Sequence, residues 1–213
     1  MEIKFYGHAC FSIEDGGVTV VTDPFQEEIG LKLPELKADV VTVSHDAPPY
    51  NNASAVKGEP KVFSWPGEYE TKGVHFKCIH SFHNQKEDEE QLENIVTIIH
   101  FNGIRLCHLG AQGTKLTPEQ LEKVGDVDIL FVPVGGKAAL DAKKAKDVIE
   151  QIEPRVIAPM VYNTEGSKLG LGTLAEFTKI IGGTVEEAGD SFKVKKSELP
   201  DDNSKLVVLN VVS

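Results

Sequence analysis

Apolar positions in the first half of the chain come in short runs separated by turn residues, the pattern of a strand-rich region. "IKFYG" and "ACFSI" are followed by "VTVVT", and Glu14-Asp15-Gly16-Gly17 predicts a hairpin turn between the last two. Further strands are predicted at "DVVTVS" (39–44), "KVFSW" (61–65), "GVHFKCI" (73–79), "NIVTIIHF" (94–101) and "IRLCHL" (104–109). Asn102-Gly103 is the strongest turn signal and joins the last two runs as a hairpin.

The period then changes. Thr117-Pro118-Glu119-Gln120 combines an N-cap, a proline at the first helical position and Gln at the third, so it predicts a short helix to about Val124. "VDILFVPV" (127–134) reads as a strand buried on both faces, and "RVIAPM" (155–160) as another. Between them Asp141 can cap a helix that puts Ala145, Val148, Ile149 and Ile152 on one face. Thr173 and Glu176 form a capping box for a third helix, with Leu174, Phe177 and Ile181 as its apolar stripe and Gly182 as its end. "SFKVKKSEL" and "KLVVLNVV" predict a closing hairpin, and the acidic run 87–93 a solvated loop. Strands first, then strands and helices interleaved, suit two packed sheets with helices outside, in one α/β domain over residues 1–213.

Composition narrows the function classes. A net charge of −11 argues against general affinity for nucleic acid or anionic membrane. No apolar stretch approaches the roughly 20 residues needed to span a bilayer. Cys10, Cys78 and Cys107 are odd in number, form no CxxC pair and lie in apolar runs, and Met1 leads straight into "EIKFYG"; a reducing, cytoplasmic compartment is expected.

Polar residues gather where predicted strands end: Gly7-His8, Thr22-Asp23-Pro24, Ser44-His45-Asp46, His80 to Asn84, His108 and Met160 to Asn163. A single strand-end histidine is most often a hydrogen-bonded structural residue. The set in this order carries more. "GHACFSIE" (7–14), "TDPF" (22–25), "VTVSHD" (41–46), "PGEYE" (66–70), "SFHN" (81–84), "CHLGAQGTKLT" (107–117), "DVDILFVPVGG" (126–136) and "IEPRVIAPMVY" (152–162) together resemble the metallo-β-lactamase fold superfamily. Within it, the chain is similar to the compact metal-dependent hydrolases related to L-ascorbate-6-phosphate lactonase. The resemblance covers nearly the whole chain and implies a four-layer αββα sandwich with a site along one edge of its two sheets.

It also implies a one- or two-metal centre built from a His-x-His-x-Asp-His turn, a later His, an Asp after Leu-Gly, and a last His after Pro-Met. Such ions polarise the scissile group and acidify bound water. Carried over residue by residue, the first His is His45 and the later His is His83. The remaining positions fall on Ala47, Pro49, Tyr50, Ala111 and Val161, so two of seven ligand positions survive and every carboxylate is lost. Thr114 stands where relatives are expected to have a polar or His residue. Asp23 matches a position that supports a ligand rather than binding metal.

Three readings follow. The first is a pseudo-hydrolase with a binding or structural role, no cofactor, and a pocket drawn from His8, Asp23, Asp46, Tyr50 and Tyr162; its partner would be an unknown small molecule or protein, and a homo-oligomer fits equally. The second is a divergent lactone or phosphoester hydrolase holding zinc or manganese in a reduced site around His45 and His83. The third is metal-free acid–base chemistry by His83 with Asp23. Pro48 and Pro49 should in any case stiffen the 45–50 turn and remove two N–H donors.

Overall fold

A computed structural model describes residues 1–83, 92–201 and 203–213. Asn84 and most of the acidic run at 87–93 lie outside the described residues; Glu93 itself opens a strand.

Two mixed sheets pack face to face. The first joins β1 (Glu2–Gly7), β2 (Cys10–Asp15), β3 (Val18–Thr22), β4 (Val40–Thr42), β5 (Lys61–Phe63) and the two-residue β13 (Phe192–Lys193), in the order β13-β1-β2-β3-β4-β5. The second joins β6 (Gly67–Thr71), β7 (Val74–Phe82), β8 (Glu93–Phe101), β9 (Ile104–His108), β10 (Ile129–Pro133), β11 (Val156–Met160), β12 (Val185–Gly189) and β14 (Lys205–Leu209), in the order β12-β14-β11-β10-β9-β8-β7-β6. Both expected hairpins form. Asp15 faces Val18 across Gly16-Gly17, and Phe101 faces Ile104 across Asn102-Gly103; all four turn residues have positive φ, as a turn matched to strand twist requires.

Side-chain alternation in the first sheet divides two cores. Ile3, Phe5, Phe11, Ile13, Val20 and Val40 face the second sheet and join the main core. Tyr6, Cys10, Val21 and Val41 face outward and are covered by Phe25, Ile29, Leu31, Leu36 and Val56. The cover on that side is the 24–56 chain with 3₁₀ turns at Glu27–Ile29 and Ala53–Ala55, where the resemblance implies a layer of α-helices. The three α-helices belong to the second sheet. Helix α1 (Pro118–Val124) carries the Thr117/Gln120 capping box; α2 (Ala142–Ile152) is capped by Asp141 Oδ1, which accepts from the Lys143 and Lys144 N–H groups at 3.0 Å; α3 (Leu174–Ile181) carries the Thr173/Glu176 box. The result is the αββα sandwich, with one outer layer thinned to turns.

The closing hairpin does not form. Phe192 pairs with Ile3 in the first sheet, whereas β14 lies parallel between β11 and β12 in the second. The burial of Leu206 to Leu209 in succession explains this: a strand covered on both faces belongs inside a sheet. Two edge strands, β6 and β12, are additions; their charged, Gly-containing sequences "GEYET" and "VEEAG" carry little strand signal.

Candidate functional site

The ends of β1, β3, β4, β7, β9, β10 and β11 bring their following residues to one edge of the sandwich. Three of those residues have left-handed backbone: His8 at φ 52°, Asp23 at φ 39° and Val161 at φ 54°. For a β-branched valine that conformation is a genuine outlier and is held by its surroundings. The Val161 N–H donates to the His8 carbonyl at 2.7 Å, and the Val161 carbonyl lies against Gly135, where a Cβ would meet it at 2.2 Å. The backbone at 161 thus keeps a tight, strained path although its side chain has no donor atom.

Two imidazoles face each other here. His45 Nδ1–H donates to the Glu93 carbonyl at 2.7 Å, and His83 Nδ1–H donates to the Ala111 carbonyl at 2.5 Å. In the uncharged rings these bonds fix the tautomer and leave each Nε2 as a lone pair. The ring centroids are 4.5 Å apart. Burial lowers the His83 pKa, the Ala111 bond partly opposes that, and His45 adds a small further depression. His8 is only 3% exposed, and neither of its ring nitrogens has a hydrogen-bond partner among the described residues. Burial, reinforced by His83, holds its pKa down to about 3.

Tyr50 occupies the space among the three rings. Its ring centroid is 4.7 Å from that of His8, 5.6 Å from His45 and 6.4 Å from His83. It is buried, and burial raises its pKa beyond the ordinary tyrosine range. Tyr50→Ala is expected to cost about 3–5 kcal/mol in denaturant unfolding, as for other large aromatic truncations. Tyr50→Phe keeps the packed ring and should stay within about 0.5 kcal/mol; an equal loss in both variants would mean the hydroxyl holds the turn. A cavity of about 190 Å³ remains beside Tyr50, lined by the three histidines, Ala47 and Pro49, the 136–139 loop, and Val161, Leu169 and Leu171.

A buried polar layer lies beneath. Asp23 accepts from the Ser44 N–H at 2.7 Å and from Ser44 Oγ at 2.6 Å, yet burial outweighs both bonds and pushes its pKa up to about 7. His108 Nδ1 is 3.7 Å from Asp23 Oδ2, but the two do not form an ion pair. The Gly110 N–H donates to His108 Nδ1 at 3.2 Å, so the proton sits on Nε2, which donates to the Ala9 carbonyl at 3.0 Å. Burial holds this neutral ring's pKa down to about 4. The pairing of His83 with Asp23 as acid and base does not arise: each has the separate partners just given.

Sequence reasoning missed the support of the 109–114 turn. Asn94 Nδ2 donates to the Leu109 carbonyl and to Gln112 Oε1, each at 3.0 Å, and Asn94 Oδ1 accepts from the Ala111 N–H at 2.8 Å. Ser81 Oγ adds a 2.7 Å bond to Gln112 Oε1. The one available signal was an Asn opening a long apolar strand and a Gln between small residues.

Of the residues expected in the pocket, His8 and Tyr50 line the cavity and Asp23 lies below it. Asp46 turns away, accepts from Asn51 at 2.9 Å, and borders an adjoining groove of about 560 Å³ that shares His45 with the cavity and carries the exposed Trp65. Tyr162 packs into the core against Phe5, at 6.0 Å between centroids. Among the described residues no three His, Cys, Asp or Glu side chains are grouped to hold a metal ion. At the ligand positions that the resemblance implies, two imidazoles, no carboxylate and a phenol ring packed beside them do not fit such a centre, which needs about three protein ligands and an open position.

The comparisons agree with this fold. The model of the beta-lactamase superfamily domain matches residues 2–161. A solved structure from Thermotoga maritima, described as that of a Zn-dependent hydrolase of the metallo-beta-lactamase superfamily, is 37% identical, covers 98% of both chains and superposes with a TM-score of 0.82. A UPF0173 metal-dependent hydrolase of Carboxydothermus hydrogenoformans is 28% identical over 193 residues, spanning 77% of this chain and 85% of that relative. A metal-dependent hydrolase of Parabacteroides distasonis, at 17% identity and a TM-score of 0.66, covers 99% of this chain and 93% of its own and shares the fold. With its matched domain, its two-sheet sandwich and its strand-end site, the chain belongs to the beta-lactamase superfamily.

Proposed function

We propose that this protein is a pseudo-hydrolase: a metallo-β-lactamase-fold domain that keeps its strand-end cavity for binding and carries no catalytic metal. One observation supports this above others. Tyr50, at a position where the resemblance implies a ligand, packs its ring against His8, His45 and His83, while Ala47, Pro49, Ala111 and Val161 offer no side-chain donor. Losing the carboxylates together with the cation is physically coherent, since buried anions without a counter-charge are costly. The acidic chain favours a small molecule or a protein over nucleic acid as its partner, and three buried free cysteines suit a reducing cytoplasm.

A second reading, a divergent hydrolase with zinc or manganese at His45 and His83, draws on the relatives' names and on the tautomer of both rings, which leaves Nε2 free to ligate. The double variant His45→Ala/His83→Ala separates the two. Wild type supplied with Zn²⁺ or Mn²⁺ is expected to hydrolyse lactones and phosphodiesters no faster than the double variant. A wild-type rate that the double variant abolishes would establish the second reading instead.

A further inference from the structure

The cavity has an uneven chemistry. Among the described residues its lining holds one cation, Lys137, and no carboxylate. Lys137 stands on the loop after β10, and its Nζ donates to the Leu169 carbonyl. An ammonium has three protons, so two remain for a ligand. His45 and His83 contribute the opposite kind of group: lone pairs at Nε2, because each Nδ1–H is committed to a backbone carbonyl. His8 also lines the cavity, but both of its ring nitrogens are enclosed, so it shapes the wall without offering a contact. Ala47, Pro49, Val161 and Leu171 make the remaining wall apolar.

We propose that this cavity binds a small hydroxycarboxylate. The carboxylate meets the Lys137 ammonium. The hydroxyl donates to an imidazole Nε2, a bond that an anion without a proton cannot make. A short carbon skeleton lies on the apolar wall. A volume of about 190 Å³ suits a molecule of a few carbons and excludes a nucleotide. Inorganic phosphate suits the lysine but turns mostly acceptor oxygens toward lone pairs. The proposal rests on the reading of a metal-free binding pocket.

Calorimetric titration of chelator-treated full-length protein with L-lactate, propionate, 1,2-propanediol and inorganic phosphate tests it. L-Lactate is expected to bind at least tenfold more tightly than each of the other three. Lys137→Gln, which can still bond the Leu169 carbonyl, should weaken L-lactate at least tenfold and leave propanediol unchanged. Equal binding of L-lactate and propionate, tighter phosphate binding, no binding of any of the four, or an unaltered Lys137→Gln variant would each overturn the proposal. Repeating the titration with one equivalent of Zn²⁺ keeps the two ideas apart. Stoichiometric zinc uptake defeats the metal-free reading, whereas no uptake together with no preference for L-lactate defeats the ligand class alone.

Discussion

Replacing Gly113 by alanine is expected to cost more than about 4 kcal/mol, enough to leave a domain of ordinary stability largely unfolded. A Cβ at this position would lie 1.7 Å from the His83 carbonyl oxygen and 2.5 Å from that of Ala138. Both are backbone atoms, so no side-chain rotation relieves the overlap. The Gly113 N–H also bonds the Phe82 carbonyl at 3.1 Å, which fixes the turn against the end of β7. Moving Gly113 therefore moves His83 and the 136–139 loop together. Gly73 is the control: its φ of 77° strains an alanine by about 1–2 kcal/mol, but nothing lies within 4 Å. Urea unfolding of both variants should give a small loss for Gly73→Ala and a very large one for Gly113→Ala. Losses of similar size would mean that the close approach at Gly113 is not a constraint.

The second large effect is acid lability. His8 and His108 are neutral and buried, with pKa values held down to about 3 and about 4 from an ordinary 6.5. For a depressed folded-state pKa, the unfolded chain takes up the proton first. The stabilisation from each histidine is therefore complete above 6.5 and is lost as pH falls toward the folded value, at about 1.4 kcal/mol per pH unit. Asp23 acts in the opposite sense. Its folded pKa is raised from 3.8 to about 7, so its contribution is complete below 3.8 and lost as pH rises through about 7. Between about pH 4 and 6.5 His8 and His108, joined in the same sense by the lowered His83 and His100, work against one aspartate, and stability should fall on acidification with a net slope of at least about one proton. Asp23→Asn removes the opposing group, so the slope should steepen by about one proton and stability at pH 7 should rise. Urea midpoints across this range check both. A wild-type midpoint that stays flat from pH 6.5 to 4 would contradict the burial of these neutral rings.

Much of the fold was legible because its signals are local. Gly16-Gly17 and Asn102-Gly103 specify turns through φ alone, and the Thr117, Asp141 and Thr173 caps specify helix starts through hydrogen bonds within a few residues. Strand partnering is not local. Phe192 and Leu206 both read as parts of a final hairpin, but which sheet each joins depends on β1 and β11, far away in sequence. The site divides in the same way. His45 and His83 stand at strand ends and match the ligand pattern that the resemblance implies, whereas Asp46, expected in the pocket, turns to Asn51. Tyr162 packs against Phe5, just after a left-handed φ at Val161 that a β-branched residue does not signal in the sequence. The His8 ring, unpartnered among the described residues, and the Asn94–Gln112–Ser81 support needed three-dimensional neighbours to be seen.

Metal content decides whether Tyr50 and its neighbours stand in place of a metal centre. Protein purified without chelator, then incubated with excess Zn²⁺ or Mn²⁺ and desalted, should retain less than about 0.1 metal ion per chain by elemental analysis, with no difference between wild type and His45→Ala/His83→Ala, as expected for a site with fewer than three ligands. Retention of one or two ions per chain in wild type, lost in the double variant, would contradict such a replacement.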